Sequence, residues 1–229
     1  MSKAKILLAE DDRNLAFVIK DNLQDEGFEV IHASDGEAAW QQFQKSDFDI
    51  CLLDVNMPLR DGFALAKKIR AESDMVPIIF ITAKSLEEDR IKGFNTGADD
   101  YITKPFSIKE LVLRINVFLR RSKKLQSDVL EEYRIGKLRF AYTEMKIYVD
   151  NEIISLTQRE ADLLRFFAQH VNKILKREEV LLNVWGKDDY FLGRSMDVFI
   201  TKLRKHFKSD PDVVLETIHG IGFRLNAIV

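Results

Sequence analysis

The chain has one cysteine, four histidines and no apolar run approaching a membrane span, and each shortage closes off a class of protein. A single thiol, Cys51, excludes an internal disulfide. Its place inside an apolar run makes it a small buried hydrophobe rather than a nucleophile. His32, His170, His206 and His219 are scattered without metal-ligand spacing, which argues against a zinc site. The longest apolar stretch, around 76–83, falls far short of the roughly 20 residues a bilayer requires. The opening MSKAKILLAEDD meets acids at once and lacks the long apolar core and cleavage site of a signal peptide. No internal repeat or low-complexity tract occurs. The expectation is a cytoplasmic protein that makes no use of a membrane.

What is present is an ordinary globular composition. The 229 residues are 46% hydrophobic and 31% charged, which suits one large domain or two modest ones. The net charge of −2 is unevenly shared. Residues 1–121 hold 17 Lys and Arg against 21 Asp and Glu, and residues 122–229 hold 18 against 16. That asymmetry is too small to name a nucleic-acid partner, so local clustering has to decide.

The first half alternates strand-like runs at 5–9, 29–33, 49–53, 77–82 and 100–103 with helical periodicity at 13–26, 36–46, 62–72, 86–95 and 107–121. Five strands, each followed by a helix, predict a doubly wound five-stranded parallel sheet with helices on both faces, an α/β fold. Polar residues after Arg120-Arg121 predict a linker at 122–132, separating a first domain at 1–121 from a second at 133–229. In the second, short strands at 133–135, 138–141, 146–149 and 152–154 precede Thr157-Gln158-Arg159-Glu160, a capping box ahead of an apolar helical run. Helices at about 158–169, 177–185 and 194–208 follow, and two β-rich segments about a Gly-Ile-Gly turn close the chain.

Ligands of an open parallel α/β sheet gather at the carboxyl ends of its strands. Here those ends carry Glu10-Asp11-Asp12, Asp54, Thr82 and Lys104-Pro105. Any one alone reads as a helix cap or a solvated loop residue, and for Asp12 the cap is the better reading. Together they are harder to dismiss. Glu10, Asp11 and Asp54 brought close would repel, which implies a bound cation or raised pKa values. Oxygen-only ligands favour Mg²⁺. A carboxylate, a cation, a hydroxyl and a lysine suit phosphoryl transfer.

Glu-Asp after strand one, Asp after strand three, Thr-Ala after strand four and Lys-Pro after strand five resemble the receiver domain of two-component response regulators. The resemblance implies that Asp54 accepts phosphate from a sensor histidine kinase. It implies Mg²⁺ held directly by Asp11 and Asp54, through water by Glu10, and by the backbone carbonyl of Asn56. Lys104 would pair with phosphoryl oxygens, Thr82 would hydrogen-bond to one, Tyr101 would be the aromatic that swings inward, and Pro105 would follow a cis peptide. Receivers of the OmpR/PhoB type dimerise on activation through a charged face, which here would comprise Arg90, Asp99, Asp100, Glu110, Arg114 and Arg121.

In RSMDVFITKLRKHFK, 194–208, five basic residues face one acid. Met196, Phe199, Ile200, Leu203 and Phe207 form one apolar stripe, opposite Arg194, Val198, Thr201, Lys202, Lys205 and Lys208. A helix packed on one side and electropositive on the other suits a major groove. A solvated amphipathic helix is the commoner outcome, but two preceding helices and a following glycine-turned hairpin suggest an α+β winged helix-turn-helix. Leu156-Thr157-x-x-Glu160, Asp197-Val198-x-Ile200-x-x-Leu203-Arg204-Lys205 and Gly220-x-Gly222-Phe223-Arg224 resemble the OmpR/PhoB effector domain. By that resemblance the partner is double-stranded DNA, with RNA polymerase a further partner. Val198, Thr201, Lys202 and Lys205 would meet the groove, Arg194, Ser195 and Thr217 the backbone, and Arg224 would belong to the wing at 217–224. Phe199 departs from a frequent histidine, and His219 from a wing arginine.

Three readings compete. The leading one is a DNA-binding transcription regulator controlled by phosphorylation, not an enzyme beyond its own phosphoryl transfer and autodephosphorylation. A Mg²⁺-dependent phosphohydrolase of the haloacid-dehalogenase type would need a second acid where Asn56 stands. A DNA-binding protein indifferent to phosphorylation would have little use for the complete acidic set.

Overall fold

The computed structural model describes residues 3–73, 75–83, 93, 96–125, 131–186 and 190–228. The chain divides into two compact units, Met1–Lys124 and Leu125–Val229.

The first unit is built on five parallel strands: β1 (Lys5–Ala9), β2 (Glu29–Ala33), β3 (Ile50–Asp54), β4 (Ile78–Thr82) and β5 (Asp100–Thr103). Their order in the sheet is β2-β1-β3-β4-β5. Helices α1 (Arg13–Asp25), α2 (Gly36–Phe43), α3 (Gly62–Glu72) and α4 (Ile108–Leu125) follow β1, β2, β3 and β5. The helix expected at 86–95 lies outside the described residues. Each of the first three helices starts on an aspartate whose carboxylate accepts backbone N–H bonds: Asp12, Asp35 and Asp61. Asp12 is thus the cap that its position suggests.

Strand periodicity divides the core. Ile6, Leu8, Ile50, Leu52, Ile79 and Ile81 pack with Ile19 and Leu23 of α1 and with Leu111, Ile115 and Phe118 of α4. The alternate residues Leu7, Cys51, Leu53 and Phe80 are equally buried. There Phe63 of α3 meets Phe80 edge-on, with centroids 5.1 Å apart. Burial on both faces explains the uninterrupted apolar runs.

The second unit opens with an antiparallel sheet of β6 (Glu132–Ile135), β7 (Leu138–Ala141), β8 (Lys146–Val149) and β9 (Glu152–Ser155). Helices α5 (Gln158–Ala168), α6 (Arg177–Trp185) and α7 (Tyr190–His206) follow, α7 passing into a 3-10 turn at Phe207–Ser209. The hairpin of β11 (Val214–Ile218) and β12 (Gly222–Asn226) closes the unit. This is a winged helix-turn-helix with an N-terminal sheet. One strand was not expected: β10 (Ile174–Lys176) runs antiparallel to β12, so the hairpin sits in a three-stranded sheet. Gly222 allows that pairing, because a Cβ there would overlap the Leu175 carbonyl. The first unit's last helix also continues to Leu125, past the expected start of a linker at 122.

Candidate functional site

The strand order reverses between β1 and β3, which opens a crevice beyond their carboxyl ends. Both strands deliver acids there. Glu10 and Asp11 follow β1, and Asp54 is the last residue of β3. One carboxylate oxygen from each of the three lies within 4.8 Å of the others. Glu10 and Asp54 are buried while Asp11 is exposed, so the cluster has a floor and an open side. The Asn56 N–H donates to Asp54 Oδ1 at 2.9 Å, which fixes the acceptor's rotation. The Asn56 side chain itself is exposed.

Lys104, arriving from β5, joins the acids. Its Nζ lies 2.8 and 2.9 Å from the two oxygens of Glu10 and 2.5 Å from Asp54 Oδ2. The Lys104–Pro105 peptide is cis, as expected. Burial pushes the Glu10 carboxyl up, the Lys104 ammonium pulls it back and the Asp54 carboxylate raises it again, leaving it at about 7. Burial would lower the Lys104 pKa, but its bonds to Asp54 and Glu10 outweigh that and raise it. One ammonium therefore does not satisfy three carboxylates. An oxygen-only donor set with uncompensated negative charge fits a hard divalent cation such as Mg²⁺.

Thr82 ends β4 fully buried, and Tyr101 of β5 is buried edge-on to Phe80 at 6.1 Å. Glu10, Asp11, Asp54, Thr82 and Lys104 thus all stand at the carboxyl edge of one sheet.

The charged face expected for self-association is less uniform. Arg90 lies outside the described residues, as does the side chain of Arg121. Arg114 of α4 donates to Asp100 at 2.7 Å and to Glu110 at 2.8 Å, its side chain only 13% exposed. Asp99 is the most enclosed of the described members of that face. Its carboxylate is fully buried, accepts from Arg70 of α3 at 2.6 Å and takes the Ile78 N–H at 3.0 Å. It precedes β5 by one residue and braces α3 against the sheet.

In the second unit Met196, Phe199, Ile200, Leu203 and Phe207 are all buried, as the stripe requires. Thr201, Lys205 and Lys208 are exposed, and Val198 is partly so. The Arg194 side chain lies outside the described residues. Ser195 is buried, which does not suit direct contact with a DNA backbone. Lys202 is turned inward: its Nζ lies 3.6 Å from Glu160 Oε1 on α5 and 5.3 Å from the Phe199 ring centre. On the hairpin, Arg224 donates to Glu216 at 2.7 Å. Thr217 accepts from Arg204 at 2.8 Å, and Arg204 also donates to the Leu215 carbonyl at 2.7 Å. Arg204 thereby ties helix to wing. The sequence showed it only as one base among several, because its partners lie on another element.

Residues 6–116 match the response regulator receiver domain, and residues 150–225 match the family described as transcriptional regulatory protein, C terminal. The transcriptional regulatory protein RprY of Bacteroides fragilis is 45% identical over 97% of this chain and 94% of its own length. Among solved structures, a RitR mutant is 28% identical with a TM-score of 0.75, covering 98% of this chain and all of its own. The Thermotoga maritima OmpR/PhoB homologue DrrB is also 28% identical, with a TM-score of 0.52 over 99% of this chain and all of its own.

Proposed function

The chain belongs to the OmpR/PhoB-type response regulators, a receiver domain joined to a DNA-binding transcriptional regulatory domain, and from that membership we propose how its residues carry the signal. Asp54 is the phosphoacceptor. The observation that carries this reading is the single Lys104 ammonium bonded to both Asp54 and Glu10 at the point where the strand order reverses. Asp54 is held by its rigid strand and by the Asn56 N–H, on the buried floor of the acid cluster, with Asp11 on the open side.

An Asp54 oxygen attacks the phosphorus of a phosphohistidine on a sensor kinase. The O–P bond forms as the P–N bond breaks, and the imidazole leaves with the electron pair and takes a proton. Lys104 then exchanges a carboxylate for phosphoryl oxygens, and the Thr82 hydroxyl donates to one of them. Asp11, Asp54 and the Asn56 carbonyl, with Glu10 through water, would hold a magnesium ion, which when bound would neutralise phosphoryl charge. Tyr101, buried against Phe80, is the aromatic through which the occupied site would bias the face formed by α4 and β5. The receiver supports only its own phosphorylation and autodephosphorylation. A second copy of the chain joins through that face, with Arg90, Asp100, Glu110, Arg114 and Arg121 as its charges.

In the second unit Thr201 and Lys205, with Val198 and Arg194, present α7 to the major groove, and the wing around Thr217 meets the DNA backbone. RNA polymerase is a further partner, and the protein works in the cytoplasm. The receiver would span 1–121, with α4 running four residues further to Leu125, and the DNA-binding domain 133–229.

The test is incubation of the full chain with a small acyl phosphate and Mg²⁺, followed by intact mass. The wild type is expected to gain one phosphate and Asp54→Asn none; a phosphate retained by Asp54→Asn would overturn the assignment.

A further inference from the structure

Glu160 does more than cap α5. Its two carboxylate oxygens point to different tasks. Oε2 accepts the Thr157 N–H at 2.8 Å, while the Glu160 N–H lies 3.4 Å from Thr157 Oγ1, completing the capping box. Oε1 faces α7, where Lys202 Nζ lies at 3.6 Å and His206 Nε2 at 4.0 Å, one helical turn apart. A cap needs one acceptor, and glutamine supplies it as well as glutamate. The second oxygen and the negative charge are therefore not explained by capping.

The surroundings make that charge count. The Glu160 side chain is 7% exposed and that of Lys202 is 19% exposed, with the lysine ammonium 5.3 Å from the centre of the buried Phe199 ring. Burial works to raise the Glu160 pKa, yet His206, Lys202 and the Thr157 N–H together hold it down at about 2. The carboxylate is thus charged throughout the neutral range. His206 Nε2 is buried with no hydrogen-bond partner among the described residues, so this imidazole relates to Glu160 by proximity and not by a formed bond.

We infer that Glu160 is an internal counter-ion for α7, a specificity-determining residue that withholds the Lys202 charge from DNA phosphates. The inference rests on the reading of α7 as the DNA-contacting helix. Backbone contacts by lysine give affinity without sequence information, and each contributes about 0.9 to the slope of log K against log salt. A lysine already neutralised by a buried carboxylate contributes less to that non-specific binding. The exposed Lys205 and Thr201 are then left to dominate the contact.

The test uses the full chain and a fluorescent duplex of arbitrary sequence, titrated between roughly 50 and 200 mM salt. Glu160→Gln, which keeps the cap, is expected to tighten binding and steepen the slope by up to about 0.9. The same substitution made on Lys202→Gln is expected to have no such effect. Independently of any Glu160 variant, Lys202→Gln alone should change the slope much less than Lys205→Gln. An unchanged slope in a natively stable Glu160→Gln, or equal effects of the two lysine substitutions, would overturn the counter-ion role. Absence of any effect from Lys205→Gln would remove α7 as the DNA-contacting helix, and this inference with it.

Discussion

Gly62 has no room for a side chain. A Cβ there would overlap the Asp54 carbonyl and crowd Val55, while the Gly62 N–H donates to the Val55 carbonyl at 3.0 Å. The turn from β3 into α3 therefore folds back onto the Asp54 peptide, which carries the proposed acceptor. Gly62→Ala must push that peptide aside, at a cost on the order of 1–3 kcal/mol. We expect a lower melting temperature together with slower phosphate gain from a small acyl phosphate, measured by intact mass. A wild-type rate would show that the turn yields without disturbing Asp54. At this scale, the acid cluster was legible because apolar runs set where strands end, and strand ends set which residues share an edge. Asp99 and Lys202 were not legible for the opposite reason. Each sits at the margin of a buried face, and its direction is decided by a partner far along the chain: Arg70 for one, Glu160 for the other. No local period encodes those pairings.

Elements tell a similar story with different physics. The Thr157-x-x-Glu160 signal marked the start of α5, because a capping box is local chemistry read over four residues. The end of α4 was set short, because Ser122–Leu125 contains good helix formers and no glycine or proline to stop the turn. Strand β10 has only three residues, and its register comes from β12 nearly fifty residues later. Packing of α5 against α7 yields a pH prediction. Glu160 has a folded pKa of about 2, below its ordinary 4.5. A depressed carboxylate contributes stability that is present above about pH 4.5 and lost as pH falls towards 2. The chain has two tryptophans, Trp40 in the first unit and the buried Trp185 in the second. In a Trp40→Phe full chain, thermal melts followed by Trp185 emission should therefore drop in midpoint across that window. Adding Glu160→Gln should flatten the part of the drop that belongs to this carboxylate. A midpoint curve unaltered by the substitution would mean that the α5–α7 ion pairing contributes nothing to stability.

For the whole molecule, the question is how one phosphate on the first unit alters what the second unit binds. Part of the charge on the α4 and β5 face is already used within the receiver, since Arg114 holds Asp100 and Glu110 together. If two chains pair through this face on phosphorylation, as proposed above, α7 itself need not change. If joining two chains is the whole effect, the second α7 binds as an intramolecular event. Its effective concentration then raises affinity by a factor of about 10² to 10⁴ without a new DNA contact. Such a gain requires two sites to fill. We therefore expect an acyl phosphate with Mg²⁺ to tighten binding to a duplex carrying two tandem half-sites, obtained by selection from a random pool. Binding to a duplex with one half-site should stay nearly constant at low protein concentration, and Asp54→Asn should respond on neither. Fluorescence anisotropy on the two duplexes separates the cases. An equal gain on the single half-site would place the effect inside one chain, as relief of a restraint on α7, and would exclude pairing as the source of the switch.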